Sequence, residues 1–249
     1  MSTEFDGKVA IVTGGAGGIG AATARGLAAR GATVVVSDLD EPGGRLLADE
    51  IGGDFVPCDV SDFDANARLV EEVVQRHGGL DLVHLNAGVS TGCSIGEDFD
   101  LALYRRAMGA NLDGVFFGLH HALPALKARG GGAIVATASL AGLVGMPFDS
   151  VYTANKHAVV GLVRSAGPAL VADGIRLNAL CPGFAESGIT APIADALAQQ
   201  GFPMMTAEQP AEAAIRLFSE DVSGECWFVQ AGREPAAFQF RNVPGPRTD

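Results

Sequence analysis

Charge is scarce in this chain, and what there is has one sign. Only 18% of the residues are charged, and 29 acidic residues against 17 lysines and arginines leave a formal charge of −12. That balance opposes binding to nucleic acid, whose affinity depends on neutralising phosphates. Paired cysteines are also missing: Cys58, Cys93, Cys181 and Cys226 are scattered with no Cys-x-x-Cys. Such spacing fits reduced thiols in a core rather than a disulfide frame or a zinc site. The five histidines add no ligand spacing, because His120 and His121 are adjacent and on a helix point in different directions. No metal is expected. The longest uncharged run, 130–148, is broken by glycines, Pro147, Thr137 and Ser139. It reads as strand plus loop, not as the ~20 apolar residues of a membrane helix, so no membrane partner is expected. Met1-Ser2-Thr3-Glu4-Phe5-Asp6 has neither the basic region nor the apolar stretch of a secretory signal, and the expected location is the cytoplasm.

What is present is a globular composition. Hydrophobic residues make up 48% of the chain, and the 34 glycines sit at turns and helix ends rather than in a repeat. A length of 249 residues suits one α/β domain. Apolar runs of strand length, beginning with Val9-Ala10-Ile11-Val12 and Thr33-Val34-Val35-Val36, alternate with helical stretches. Strands buried on both faces and separated by helices predict a parallel sheet. Seven strands are expected, the last over Cys226-Trp227-Phe228-Val229, with a lid-like or merely connecting stretch over 187–202.

The first strand runs into Thr13-Gly14-Gly15-Ala16-Gly17-Gly18-Ile19-Gly20 and then an alanine-rich helix. Glycines there let backbone N–H groups approach a pyrophosphate at the positive end of the helix. The plain alternative is an ordinary glycine-rich turn. Against it stands Asp38, which the second strand delivers eighteen residues after Gly20. An acid at that place accepts from a ribose 2′-OH and repels a 2′-phosphate, favouring NAD over NADP. Asp59 follows the third strand, where it either touches the adenine or, like Ser61, caps the next helix. Asn86-Ala87-Gly88 closes the fourth strand with small residues that let a cofactor ring approach the backbone. Asn111 falls inside a long helical stretch, 99–128, where a polar residue usually marks the surface or a kink.

Tyr152 and Lys156 are four apart and share a helix face. An ammonium beside a phenol favours the phenolate and lowers a pKa that is ordinarily about 10, which suits Tyr152 to proton transfer. Ser139 ends the fifth strand thirteen residues earlier and is placed to hydrogen-bond a substrate oxygen. Alone, such a pair equally describes a half-buried ring with a solvated amine.

Taken in order, Thr13-Gly14-x-x-x-Gly18-x-Gly20, Asp59, Asn86-Ala87-Gly88, Asn111, Ser139, Tyr152-x-x-x-Lys156 and Pro182-Gly183 closely resemble the short-chain dehydrogenase/reductase family over residues 7–232. The resemblance implies an α/β, single-domain Rossmann fold over residues 1–232 with strand order 3-2-1-4-5-6-7 and helices on both faces. It implies that Tyr152 is the general acid/base and that Lys156 lowers its pKa and holds the nicotinamide ribose. Ser139 would orient the reacting oxygen, and Asn111 would support a water-mediated proton path. Gly14, Gly18, Ile19 and Gly20 would line the pyrophosphate and ribose, Asp38 the adenosine ribose, Asp59 and Val60 the adenine, and Asn86 and Gly88 the remaining wall. Pro182 and Gly183 would flank the nicotinamide of an NAD cofactor, with Ser187 where many relatives carry a threonine.

Two departures stand out: the final strand lacks the aspartate many relatives carry near its end, and a longer tail, 233–249, follows, with Phe238 and Phe240 available to pack at a subunit interface. Relatives are commonly homotetramers, and the alanine- and leucine-rich faces over 112–126 and 159–170 are compatible with that. By position, Ala141, Met146, Phe148, Phe184 and Ile189 are the candidate substrate pocket, with 90–95 as another wall. They imply a hydrophobic secondary alcohol or ketone, cyclic, steroid-like or terpenoid-like. Two other readings are a 3-oxoacyl-thioester reductase of the same family and a non-catalytic NAD-binding regulator. The first usually favours NADPH, and the glycine loop carries no Arg or Lys for a 2′-phosphate. A regulator would not require Ser139, Tyr152, Lys156 and Asn111 together.

Overall fold

Seven short runs of β-branched and other apolar residues build the centre of the molecule. They are β1 (Val9–Thr13), β2 (Thr33–Asp38), β3 (Asp54–Pro57), β4 (Leu82–Leu85), β5 (Gly132–Thr137), β6 (Ile175–Pro182) and β7 (Cys226–Val229). The computed structural model describes residues 3–93, 95–147 and 149–241. All seven strands pair in parallel in the order 3-2-1-4-5-6-7, as expected. A two-residue strand, β8 (Ala236–Ala237), then pairs antiparallel with β7 at Trp227 and Phe228. Two alanines between Pro235 and Phe238 carry no strand signal, so the sequence reading stops at seven. Beyond β8, Phe238 and Phe240 stack edge to face at 4.9 Å, and Arg164 lies 3.7 Å from the Phe240 ring centroid. These aromatics therefore pack within their own chain.

Helices cover both faces. On one side α3 (Phe63–His77), α5 (Gly114–Ala128) and α6 (Ser150–Leu170) bury Leu69, Val73, Leu119, Leu126, Val159 and Val163 against the sheet. On the other, α1 (Gly18–Ala28), α2 (Glu41–Ile51) and α8 (Glu208–Ser219) bury Leu27, Leu47, Ile215 and Phe218. Apolar burial on two faces is the main stabilising contribution. The short α4 (Leu101–Met108) precedes α5, and α7 (Ala194–Gln199) lies in the 187–202 stretch. No helix among the described residues is long and apolar enough to cross a membrane.

One buried carboxylate sets the register at the base of the sheet. Asp81 accepts from Val9 N at 3.0 Å, from Arg129 Nη2 at 3.0 Å and from Lys8 Nζ at 3.2 Å. Burial alone would raise its pKa, but the Arg129 and Lys8 cations and the Val9 N–H together hold it below the usual carboxylate range.

The helix starts differ in a way that matters for function. Asp40, Asp62, Asp100 and Asp149 each cap one of α2, α3, α4 and α6 with a side-chain oxygen. Asp62, not Asp59 or Ser61, caps α3, because its carboxylate lies 2.7 Å from Ala65 N. Helix α1 has no such cap: it starts after Gly17, with no acid in its first turn.

Candidate active site

The strand order reverses between β1 and β4, and open α/β sheets hold ligands at the carboxyl ends of the strands flanking such a point. A cleft of about 630 Å³ opens there. Its floor is the glycine loop between β1 and α1, with Gly14, Gly18 and Ile19 among its lining residues. Gly14 has φ +61°, and a Cβ on it would stand 2.8 Å from Ala87 Cα, so only glycine fits that turn. Gly20 plays a different part from the one expected. It does not line the cleft; a Cβ there would run into the Gly14 carbonyl, so its role is close packing of α1 against the loop.

One end of the cleft is built from the tips of β2 and β3. Asp38 lines the cleft and accepts from Ala16 N and Asp40 N, both at 3.0 Å, fixing its carboxylate at the strand's end. Asp59 and Val60 form the adjoining wall, with Asp59 also accepting from Ser61 N at 2.9 Å. The uncapped start of α1 leaves N–H groups facing anionic ligand chemistry. An acidic strand tip, a glycine turn and an uncapped helix fit a dinucleotide.

The far wall holds the remaining predicted residues. Asn86 donates through Nδ2 to Thr13 O at 3.1 Å and Gly14 O at 3.2 Å, tying β4 to the glycine loop. Asn111 is completely buried within a π-helical turn, Gly109–Asp113, between α4 and α5. The kink reading of that asparagine is therefore the one the fold bears out. Its Oδ1 accepts from Val89 N at 2.8 Å and its Nδ2 donates to Val89 O at 3.0 Å. Gly88 is squeezed between them: a Cβ there would be 2.9 Å from Asn111 Oδ1 and 3.8 Å from Lys156 Nζ.

Ser139, Tyr152 and Lys156 line the same cleft as Asp38 and Gly14, as do Pro182, Gly183 and Ser187. Lys156 is buried, and its ammonium donates to Thr137 O at 2.8 Å. Burial lowers its pKa to about 8. Tyr152 is pushed up to about 12, first by burial and further by the Asp149 charge, while a hydrogen bond from Ser139 works to lower it. The sequence pattern alone suggests that Lys156 supplies the lowering. Here its ammonium sits 5.6 Å from the centre of the tyrosine ring and donates to the Thr137 carbonyl.

The predicted substrate residues do not all converge. Ile189 and Ser90 line the cleft. Ala141 is instead buried in the turn after β5, where its N–H donates to Ser139 Oγ at 3.1 Å. Met146 lines a separate shallow groove with Pro147 and His157. Phe184 packs edge to face on Phe202 at 5.5 Å. In each case local turn packing, invisible to sequence position, decides the direction of the side chain. Phe148 lies outside the described residues. The 187–202 stretch contributes Ser187, Gly188, Ile189, Thr190 and Pro192 to the cleft.

Several site residues went unnoticed in the sequence. Asp149 caps α6 through Tyr152 N at 2.9 Å and accepts from Thr91 Oγ1 at 2.7 Å, fixing the helix turn that carries the tyrosine. An aspartate three residues before that tyrosine is a readable cap signal. Thr137, on the same strand face as Ser139, also lines the cleft, as does Arg106. His84 in β4 is fully buried, and desolvation lowers its pKa to about 3.

That last shift has a measurable consequence. Folded protein holds His84 neutral where the unfolded chain binds a proton, below about 6.5, so the unfolded state carries more protons and stability falls on acidification. The loss is expected at up to about 1.4 kcal/mol per pH unit between the two pKa values. Denaturant titrations near pH 7 and near pH 5, comparing the parent with His84→Gln, should show a smaller acid loss in the variant.

A family model described as short chain dehydrogenase matches residues 8–198. This chain belongs to the short-chain dehydrogenase/reductase family. Among curated proteins it is 37% identical over 231 residues to a cyclohexanol dehydrogenase from Acinetobacter sp. (strain SE19), covering 90% of this chain and 92% of that protein. It is 41% identical over 197 residues to a cis-4-hydroxycyclohexanecarboxylate dehydrogenase from Sinomonas cyclohexanicum, covering 77% and 78%. Its fold matches the crystal structure of a short-chain type dehydrogenase/reductase from Mycobacterium marinum with a TM-score of 0.85 at 29% identity, over 92% of this chain and 96% of that one. As a short-chain dehydrogenase/reductase, the chain is an oxidoreductase acting on CH–OH groups, and the family uses nicotinamide cofactors.

Proposed function

We propose that this short-chain dehydrogenase/reductase interconverts a hydrophobic alicyclic secondary alcohol and its ketone with NAD(H), from which the bound nicotinamide supplies the hydride acceptor or donor. The observation that carries the reading is the meeting of Ser139, Tyr152 and Lys156 in one cleft with the Asp38 carboxylate. Asp38 would hold the adenosine ribose diol, and the glycine loop with the start of α1 would hold the pyrophosphate. Lys156, anchored by Thr137 O, would hold the nicotinamide ribose. Ser139 would orient the carbinol or carbonyl oxygen, and Tyr152 would take the hydroxyl proton in oxidation or return it in reduction. In oxidation the phenol must first lose its proton, to which the Ser139 hydrogen bond contributes. Asn111 holds the loop behind Lys156 and would support a proton path to solvent.

Support for an alicyclic substrate comes from the two relatives, named for cyclohexanol and a hydroxycyclohexanecarboxylate. Support for NAD over NADP comes from Asp38, whose charge repels a 2′-phosphate. The exposed Phe116 and Phe63 on α5 and α3 are consistent with a homo-oligomer using that face, and a homotetramer is the reading we favour. The test is calorimetric titration with NADH and, separately, NADPH, followed by a screen of cyclic secondary alcohols with the tighter cofactor's oxidised form. Clear preference for NADH with turnover of cyclic alcohols is expected. Equal or better NADPH binding would instead bring forward the 3-oxoacyl-thioester reductase reading.

A further inference from the structure

We propose that His84 is a positioning residue that, through Thr137 and Asn86, ties the dinucleotide loop to the wall carrying Lys156. The inference rests on the reading that the cleft takes a dinucleotide. His84 does not line the cleft. It stands in β4 between Val12 of β1 and Val135 of β5, an apolar setting in which a polar ring is costly unless it is bonded.

The hydrogen-bond directions can be worked out from one end. Asn86 Nδ2 donates to Thr13 O and Gly14 O, at 3.1 and 3.2 Å, which fixes its Oδ1 as the acceptor facing Thr137. Thr137 Oγ1 gives its single hydrogen to that Oδ1 at 3.1 Å. Having spent it, the hydroxyl can only accept from His84 Nε2, 3.0 Å away. The ring is therefore the Nε2–H tautomer, and Nδ1 keeps a buried lone pair with no hydrogen-bond partner among the described residues. Thr137 is held at its other end too, because its carbonyl accepts from Lys156 Nζ at 2.8 Å. One residue thus joins the lysine to the asparagine that clamps the glycine loop, and His84 holds that residue's hydroxyl in the direction the clamp needs.

An apolar side chain at position 84 would remove the bond that orients the Thr137 hydroxyl and loosen its hold on Asn86 Oδ1, and valine at position 137 would take that donor away altogether. The His84→Leu and Thr137→Val variants are expected to bind NADH roughly tenfold more weakly in calorimetric titrations, as befits loss of one buried hydrogen bond. In turnover this should be read as a higher KM for NAD with kcat largely kept. His84→Gln, whose amide can still donate to Thr137, is expected to recover affinity to within about threefold. Nitrogen NMR of the parent should show His84 as the neutral Nε2–H tautomer, without titration through the neutral range. If His84→Leu does not fold, the nearly isosteric Thr137→Val and the parent's NMR spectrum carry the test. Parent-like NADH affinity in the His84→Leu and Thr137→Val variants alike, or an Nδ1–H tautomer, would overturn the inference. A parent that binds no NADH would bring down the dinucleotide reading itself, which is a separate and recognisable failure.

Discussion

Replacing Tyr152 with phenylalanine is expected to lower oxidation of secondary alcohols by about 10²–10⁴-fold, the contribution of a positioned proton-transfer group, while NADH binding is largely kept. The substitution removes one oxygen and leaves the rest of its surroundings intact. The Asp149 cap contacts the backbone N–H of residue 152, not the phenol, so the start of α6 keeps its anchor. Lys156 keeps its bond to Thr137 O, and among the described residues no hydrogen bond joins the glycine loop to the lost atom. Steady-state kinetics with the parent's best alcohol, set beside a calorimetric NADH titration, separates the two effects. A variant that keeps turnover would remove Tyr152 from the chemistry and favour a non-catalytic NAD-binding regulator.

The second large effect concerns the cofactor. Asp38→Asn should shift the preference between NADH and NADPH by about a hundredfold, since a hydrogen bond to a charged group is worth ~1.5–3 kcal/mol and a like-charge repulsion is removed as well. Asparagine is the informative replacement because its carbonyl oxygen can keep one of the two backbone bonds, from Ala16 N or from Asp40 N, that the two carboxylate oxygens now accept at 3.0 Å. Alanine would loosen the loop at the same time and blur the result. Competition titrations with the two reduced cofactors give the ratio directly. An unchanged ratio would mean that the carboxylate does not meet the ribose.

The parts of the site legible in sequence are those set by the backbone. Strand, glycine turn, helix and acidic strand tip occur in a fixed order, so Gly14, Gly18, Asp38 and Asn86 arrive in one cleft once the sheet forms. The Tyr152–Lys156 spacing likewise survives, because residues four apart on a helix share a face whatever surrounds them. What the sequence hides is the direction of side chains in irregular segments. Ala141 and Phe184 follow strand ends that look suitable for a pocket, yet turn packing takes one into the core and the other against Phe202. Strand β8 was hidden for another reason: its two residues pair only because β7 offers a free edge. The electrostatics were hidden as well. Burial moves the Tyr152 pKa up and the Lys156 pKa down, and the Thr137 carbonyl holds the ammonium, none of which their spacing reveals. His84 reads as one more strand residue, and only the three-dimensional neighbours reveal its link to Thr137 and Asn86.

The most direct test of the account follows the hydride itself. Cyclohexanol carrying deuterium at the carbinol carbon is incubated with the protein and NAD, and the nucleotide is examined by mass spectrometry. The account predicts deuterium in the reduced nucleotide with parent protein, and almost none with Tyr152→Phe. Unlabelled nucleotide with the parent, across cyclohexanol and a panel of other deuterated cyclic alcohols, would contradict it.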